Sequence, residues 1–96
     1  MTEQENIILT KAISTYGKEA QMDMVIEEMS ELTKEILKLR RAERADKNTK
    51  AEIEHLKEEM ADVQIMLDQM YLIFGLPTEH REYKINRLKE RLGLNI

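Results

Sequence analysis

The chain has 96 residues, which fits a single domain (1–96), and 35% of its residues are charged whereas 4% are aromatic. With three glycines and one proline, this composition is typical of a helical protein and argues against a β-sandwich or barrel. The net charge of −4 gives no general attraction to nucleic acid or anionic membrane, and the absence of cysteine excludes disulfides and thiolate metal sites. No apolar run could span a bilayer and no signal peptide is present, so we expect a soluble cytoplasmic protein.

Residues 3–15 are predicted to form the first helix, with Thr2 as its N-cap. Gly17 should end it, because glycine tolerates the backbone angles of a turn. The second helix is predicted over 18–44, where apolar residues recur at steps of three and four and should face a core. This stripe consists of Met22, Val25, Met29, Leu32, Ile36 and Leu39.

A polar connection that ends at Asn48-Thr49 should lead to a third helix over 50–75, with a second stripe of apolar residues. That stripe consists of Leu56, Met60, Val63, Leu67, Met70 and Phe74. Gly75-Leu76-Pro77 should end the helix, and Thr78 should cap a last, basic helix that runs to about Leu92. The predicted fold class is therefore all-α: a helical bundle of two long antiparallel helices with shorter N- and C-terminal helices. Because so short a chain buries a modest core, we also expect an oligomer.

Two acidic pairs border these stripes: Glu28 and Glu31 on the second helix, and Glu59 and Asp62 on the third. Their i, i+3 spacing places both carboxylates of a pair on one face of a helix, about one turn apart. Antiparallel packing of the two stripes would bring the pairs together near mid-helix.

The charges around the two pairs are uncompensated, because residues 19–33 and 58–80 contain no lysine or arginine. Neighbouring carboxylates beside an apolar stripe cost free energy unless something cancels their charge. A divalent cation is the simplest partner, and Mg²⁺ prefers hard oxygen ligands. The residues alone therefore favour a metal site over a solvated acidic surface.

Two other groups leave alternatives open. Glu52 and His55 have the Glu-x-x-His spacing of di-iron bundles, but those bundles need two copies, so His55 is interpreted as a surface residue or as one that supports a ligand. The basic last helix is either a solvated face, with favourable charge near its C-terminal end, or a phosphate clamp that uses Lys84 and Arg87.

Glu-Glu-x-x-Glu at 27–31, followed by Glu-Glu-x-x-Asp at 58–62, resembles the motif of the all-α nucleoside triphosphate pyrophosphohydrolases. The chain is most similar to the small single-domain MazG-like members, over about Tyr16 to Leu92. Tyr16-Gly17 and Gln21 upstream, and the Lys84-x-x-Arg87 step downstream, add to the resemblance.

The resemblance implies a hydrolase that cuts a nucleoside triphosphate, NTP or dNTP, between its α- and β-phosphates to give the monophosphate and pyrophosphate. It assigns Mg²⁺ binding and catalysis to the four acids, with Mn²⁺ as a substitute ion: Glu28, Glu31, Glu59 and Asp62. It further implies that Gln21 faces the base and that Lys84 and Arg87 hold the leaving phosphates. The family also implies a homodimer or homotetramer with pockets built partly from a neighbouring subunit.

Several points stay open at this level. The proton of the attacking water could pass to Glu27 or to a metal-binding carboxylate, and the sequence does not identify the preferred base or sugar. The sequence is consistent both with control of the nucleotide pool and with the removal (housecleaning) of modified nucleotides. Two competing hypotheses are a non-enzymatic helical interaction or oligomerisation module and a protein that binds nucleotide without turnover.

Overall fold

The structure is a computed structural model that describes every residue from Met1 to Ile96, and its regular elements are all helices. They are α1 (Glu3–Tyr16), α2 (Lys18–Arg44), α3 (Lys50–Phe74) and α4 (Thr78–Arg91). The all-α prediction is confirmed, and every boundary lies within one residue of its predicted position. None of the four helices combines the length and the apolar character that crossing a membrane requires.

The helix ends follow the local sequence, with one exception. The Thr2 hydroxyl accepts the Glu5 backbone N–H at 3.0 Å, and the Thr2 N–H donates to the Glu5 carboxylate at 2.7 Å, so the predicted cap is confirmed as a capping box. The prediction that Thr78 caps α4 is wrong. The Pro77 carbonyl accepts the Arg81 N–H at 2.9 Å, which makes Pro77 the N-cap and puts Thr78 inside the first turn.

The centre of the fold is a hairpin of α2 and α3. Gln21, near the start of α2, lies against Gln69, near the end of α3, and Glu28 lies near Glu59. The two helices are therefore antiparallel. The α1 helix packs against both, whereas α4 packs against none of the other helices. Gly17 and Gly75 turn the chain at the same end of the hairpin, with φ of 92° and 98°, a region that favours glycine.

The interior is small, and the prediction that both stripes face a core is wrong for much of their length. Five residues are buried: Gln21, Ala42, Val63, Met66 and Gln69. Met29 and Met60 are 50% and 53% exposed. The physical reason is geometric: each long helix has one long neighbour, which covers a narrower arc than a stripe stepping by threes and fours occupies.

The hairpin has two distinct faces. At 100° per residue, five exposed apolar residues of the two helices fall on one side of the α2–α3 seam, whereas others, such as Ile26 and Ile65, point away from the seam. This apolar face consists of Met22, Met29, Ile36, Ile53 and Met60. The acidic residues lie in the seam or on its opposite side. This acidic face consists of Glu28, Glu31, Glu35, Glu52, Glu59 and Asp62.

Candidate metal centre

Three of the four predicted acids come together on the acidic face. Glu28 on α2 and Glu59 and Asp62 on α3 each offer one carboxylate oxygen, and these three oxygens lie within 4.8 Å of one another. We call this group the central layer. The side chains of Glu28 and Glu59 are partly covered by the neighbouring helix, whereas that of Asp62 is exposed.

Glu31, the fourth predicted acid, lies outside this group. Its carboxylate accepts a hydrogen bond from the Lys34 ammonium at 3.1 Å, one turn along α2. The two side chains are 42% and 64% exposed, so the ion pair is worth little in water and holds Glu31 weakly. Rotation of the side chain can therefore exchange Lys34 for another cation.

Within the central layer, Glu59 is the residue whose pKa is raised. Loss of water around its carboxylate raises the pKa of Glu59, and the negative charges of Asp62, Glu28 and Glu31 raise it further. A hydrogen bond that protonated Glu59 can donate to Glu28 acts in the same direction. In the ionised form, Oε2 of Glu59 is buried and has no hydrogen-bond partner.

No basic side chain compensates the central layer. The ion pairs of the chain are Lys34–Glu31, Lys38–Glu35 and Lys57–Glu54, and none involves the three acids of the central layer. Clustered carboxylates without a counter-ion destabilise a fold unless they bind something positive.

The donor set fits a hard divalent cation. Each ligand oxygen lies about 2.1 Å from Mg²⁺, so two oxygens on one ion are at most about 4.2 Å apart. The oxygens of Glu28, Glu59 and Asp62 lie within 4.8 Å, so shifts of about 1 Å in the carboxylate positions would bring them to the spacing of about 3 Å between neighbouring ligands on one ion. The unpartnered oxygen of Glu59 would gain the contact that it lacks.

Sequence reasoning missed a second set of covered acids, one heptad along each helix. Glu35 follows Glu28 by seven residues and Glu52 precedes Glu59 by seven. Each has an Oε2 that is buried without a hydrogen-bond partner. We call these two residues the flanking layer. The seven-residue spacing was the available signal, because it keeps residues of two antiparallel helices on the same seam.

The flanking layer differs from the central layer in that one of its acids, Glu35, has a basic partner. Lys38 donates to Oε1 of Glu35 at 3.3 Å, and the Glu35 side chain is only 13% exposed. His55, one turn beyond Glu52, is exposed. No group of three metal-binding side chains forms around Glu52 and His55.

Gln21 lies two turns before Glu28, at the end of the hairpin next to α1. It is 6% exposed, and its Nε2 donates to Oε1 of Gln69 at 2.6 Å. The Gln21 side chain also lines an open cleft of about 480 Å³ whose other walls are mainly apolar. The cleft is formed with Tyr16, Ala20, Asp23, Met24 and Met66. Sequence reasoning missed Gln69, because no local signal links residues 48 positions apart.

Lys84 and Arg87 lie on α4, which makes no packing contact with the helices that carry the acids. The Arg87 guanidinium lies 5.8 Å from the centre of the Tyr83 ring, on the same helix. Lys84 lines an open cleft with residues of α4 and with Tyr71 at the end of α3. Within one chain, the structure does not assemble these two basic residues with the central layer.

No family model, curated protein or solved structure matches this chain. The resemblance to the MazG-like proteins therefore rests on the motif residues themselves.

Proposed function

We propose that the protein is a MazG-like, Mg²⁺-dependent hydrolase that cuts a nucleoside triphosphate to its monophosphate and pyrophosphate, acting on the cytoplasmic nucleotide pool. The observation that carries the proposal is the central layer. Glu28, Glu59 and Asp62 each offer a carboxylate oxygen within 4.8 Å of the other two, and no basic residue of the chain forms an ion pair with them.

In this proposal the four acids hold Mg²⁺, or Mn²⁺ in its place, against the triphosphate. Glu28, Glu59 and Asp62 supply the three converging oxygens, and Glu31 joins them when its weak pair with Lys34 opens. The bound ion would supply positive charge to the phosphates and acidify a coordinated water. The chain itself contributes no other cation at that point, so its part is to position the ion and accept the water's proton on a carboxylate.

The remaining predicted residues serve substrate binding in the proposal. Gln21 faces the base from the apolar cleft beside α1, where one side of its amide is already fixed by Gln69. Lys84 and Arg87 hold the leaving phosphates. Since α4 does not pack on the acid-bearing helices of its own chain, the two residues would act from a neighbouring subunit of a homodimer or homotetramer.

The test is pyrophosphate release from a panel of canonical and modified NTPs and dNTPs, with Mg²⁺ and with EDTA. We expect metal-dependent release of pyrophosphate together with the matching monophosphate, and the panel ranks the preferred base and sugar. Release of orthophosphate with the diphosphate would contradict the proposed α–β cleavage. If no triphosphate in the panel gives product, and circular dichroism shows that the helices are intact, the result would favour the interaction module.

Binding without turnover is separated by a second measurement. Calorimetric titration with a non-hydrolysable α,β-imido triphosphate, in the presence of Mg²⁺, reports binding alone. Binding of the analogue combined with no product from any triphosphate would identify a nucleotide binder and would overturn the catalytic proposal.

A further inference from the structure

Charge is unevenly distributed along the hairpin. Residues 38–50, which form the end of α2, the connection and the start of α3, hold six basic residues and two acidic ones, a net charge of +4. We call this stretch the tip segment. The rest of the chain holds nine basic and 17 acidic residues, a net charge of −8. A multiply charged anion is therefore attracted to this end of the hairpin and repelled by the remainder.

An open cleft of about 580 Å³, which we call the tip cleft, lies at the tip segment. Three of its lining residues are basic: Lys38 and Arg41 on the last turns of α2, and Lys47 in the connection. Ala42 and Ala45 line it as well, and their small side chains leave space beside the long basic ones. The volume is within the roughly 300–1,000 Å³ of small-molecule sites.

The backbone at the end of α2 fixes the position of Lys47. The Lys47 N–H donates to the Ala42 carbonyl at 3.0 Å, and the Asp46 N–H donates to the Glu43 carbonyl at 3.1 Å, with Asp46 at a φ of 57°. This is the Schellman arrangement, in which backbone N–H groups satisfy the last carbonyls of a helix. The basic side chains are therefore not required to cap α2, and their donors are available to a ligand.

Two of the three cations in the tip cleft have no ion pair: Lys38 is paired, but Arg41 and Lys47 are not. On the α3 side the cleft is lined by Glu52 and His55. Glu52 pairs with neither free cation, and its Oε2 is shielded from solvent. A guanidinium can bind phosphate through two parallel N–H···O bonds, and an ammonium adds a compact positive charge. This donor set suits phosphate oxygens.

We infer that the tip cleft is a second binding site, for a small phosphorylated anion such as an oligophosphate or a phosphate ester, and that it works without metal. It is separate from the central layer, because Lys38 and Glu28 are ten residues apart, about 15 Å along α2. A small anion fits better than a nucleic acid, since a long polyanion would extend from the tip segment along the acidic remainder of the chain. The inference uses none of the acids of the central layer and does not depend on the proposed hydrolysis.

The test is calorimetric titration with inorganic pyrophosphate and, in parallel, with ATP, on protein freed of metal by a chelating resin so that the central layer repels both. We expect saturable binding with a Kd of about 1 mM or tighter. Arg41→Gln should weaken it about tenfold or more, because charge-assisted hydrogen bonds to phosphate are lost. Arg40→Gln is the matched control: it removes the same charge from the neighbouring residue, which does not line the cleft, and should change the Kd less than about threefold.

Ala45→Leu is a second variant, which fills the cleft without changing the charge, at an exposed position where folding tolerates it. We expect it to abolish binding of both probes.

No saturable binding by the wild type up to about 10 mM would overturn the inference, and so would equal weakening by Arg41→Gln and Arg40→Gln, or binding of a DNA oligonucleotide but of neither small probe. Tighter binding of ATP than of pyrophosphate would identify a phosphate ester as the ligand, and equal binding a free oligophosphate. Hydrolysis assayed on the same samples keeps the proposals separate. An inactive protein that binds pyrophosphate without metal refutes only the hydrolase, and an active one that does not bind it refutes only the tip cleft.

Discussion

The central layer and the flanking layer are both acidic, lie seven residues apart on the same two helices, and contain buried, unpartnered carboxylate oxygens. They differ in charge balance. Glu35 of the flanking layer has Lys38 at 3.3 Å, whereas the three converging carboxylates of the central layer have no basic partner, and there the pKa of Glu59 is raised. Burial of a carboxylate therefore does not mark the candidate site; convergence without compensation does.

The largest expected effect is on catalysis, where substitutions in the central layer should cost much more activity than substitutions in the flanking layer. Asp62→Asn or Glu59→Gln should lower kcat/KM for pyrophosphate release by about 100-fold or more, because in the proposed site each removes a metal ligand, and even changes around metal ligands cost 10–100-fold. Glu35→Gln is the matched control and should stay within a few-fold of the wild-type rate. Equal losses in the two layers would contradict the assignment.

The second-largest expected effect is stabilisation by Mg²⁺, which should also distinguish the central layer from the flanking layer. Mg²⁺ at about 100 times its Kd stabilises a protein with one site by about 2.7 kcal/mol, which raises the Tm of a domain this size by roughly 10 °C or more. We expect that shift in the wild type and in Glu52→Gln, but not in Glu59→Gln, when melting is compared in MgCl₂ and in EDTA. A full shift in Glu59→Gln would remove that residue from the ligand set.

The pH dependence of the metal-free protein is a smaller effect. Because the folded chain raises the pKa of Glu59, the folded state binds more protons than the unfolded state between the ordinary carboxyl range and the raised value. The free energy of unfolding therefore falls as the pH rises through that window, and the full penalty is present above it. In EDTA at pH 7, Glu59→Gln should melt at a higher temperature than the wild type. This advantage should vanish at acidic pH, and a constant difference at every pH would contradict the mechanism.

The smallest expected effect concerns the ion pair beside the central layer. Lys34→Ala should change the free energy of unfolding by less than about 1 kcal/mol, because exposed pairs are worth little. It should also leave turnover within a few-fold, since it frees Glu31 for the metal. Urea denaturation and steady-state assays check both, and a large loss of activity would show that Lys34 itself serves the reaction.

The sequence was sufficient for the helices and for the acids that converge, because both follow from short-range periodicity. Gly17 and Gly75 set the helix ends, and i, i+3 spacing on antiparallel helices brought Glu28 toward Glu59. Periodicity shows which side chains share a face but not what covers that face, so Met29 and Met60 were wrongly assigned to a core. The Gln21–Gln69 bond depends on the register of one helix against the other, which no local pattern records. The flanking layer was missed although its seven-residue spacing from the central layer was a signal in the sequence.

The raised pKa of Glu59 has a consequence for how an ion would enter the central layer. A proton and a divalent cation compete for the same oxygens, because a carboxyl that binds metal must be ionised. Near the pKa of Glu59, uptake of an ion would release a proton, and the apparent affinity for the ion would fall as the solution becomes more acidic. The three carboxylates would thus act as a proton–metal exchanger, in which the mutual repulsion of the empty state strengthens the binding of a doubly charged ion more than that of a singly charged one.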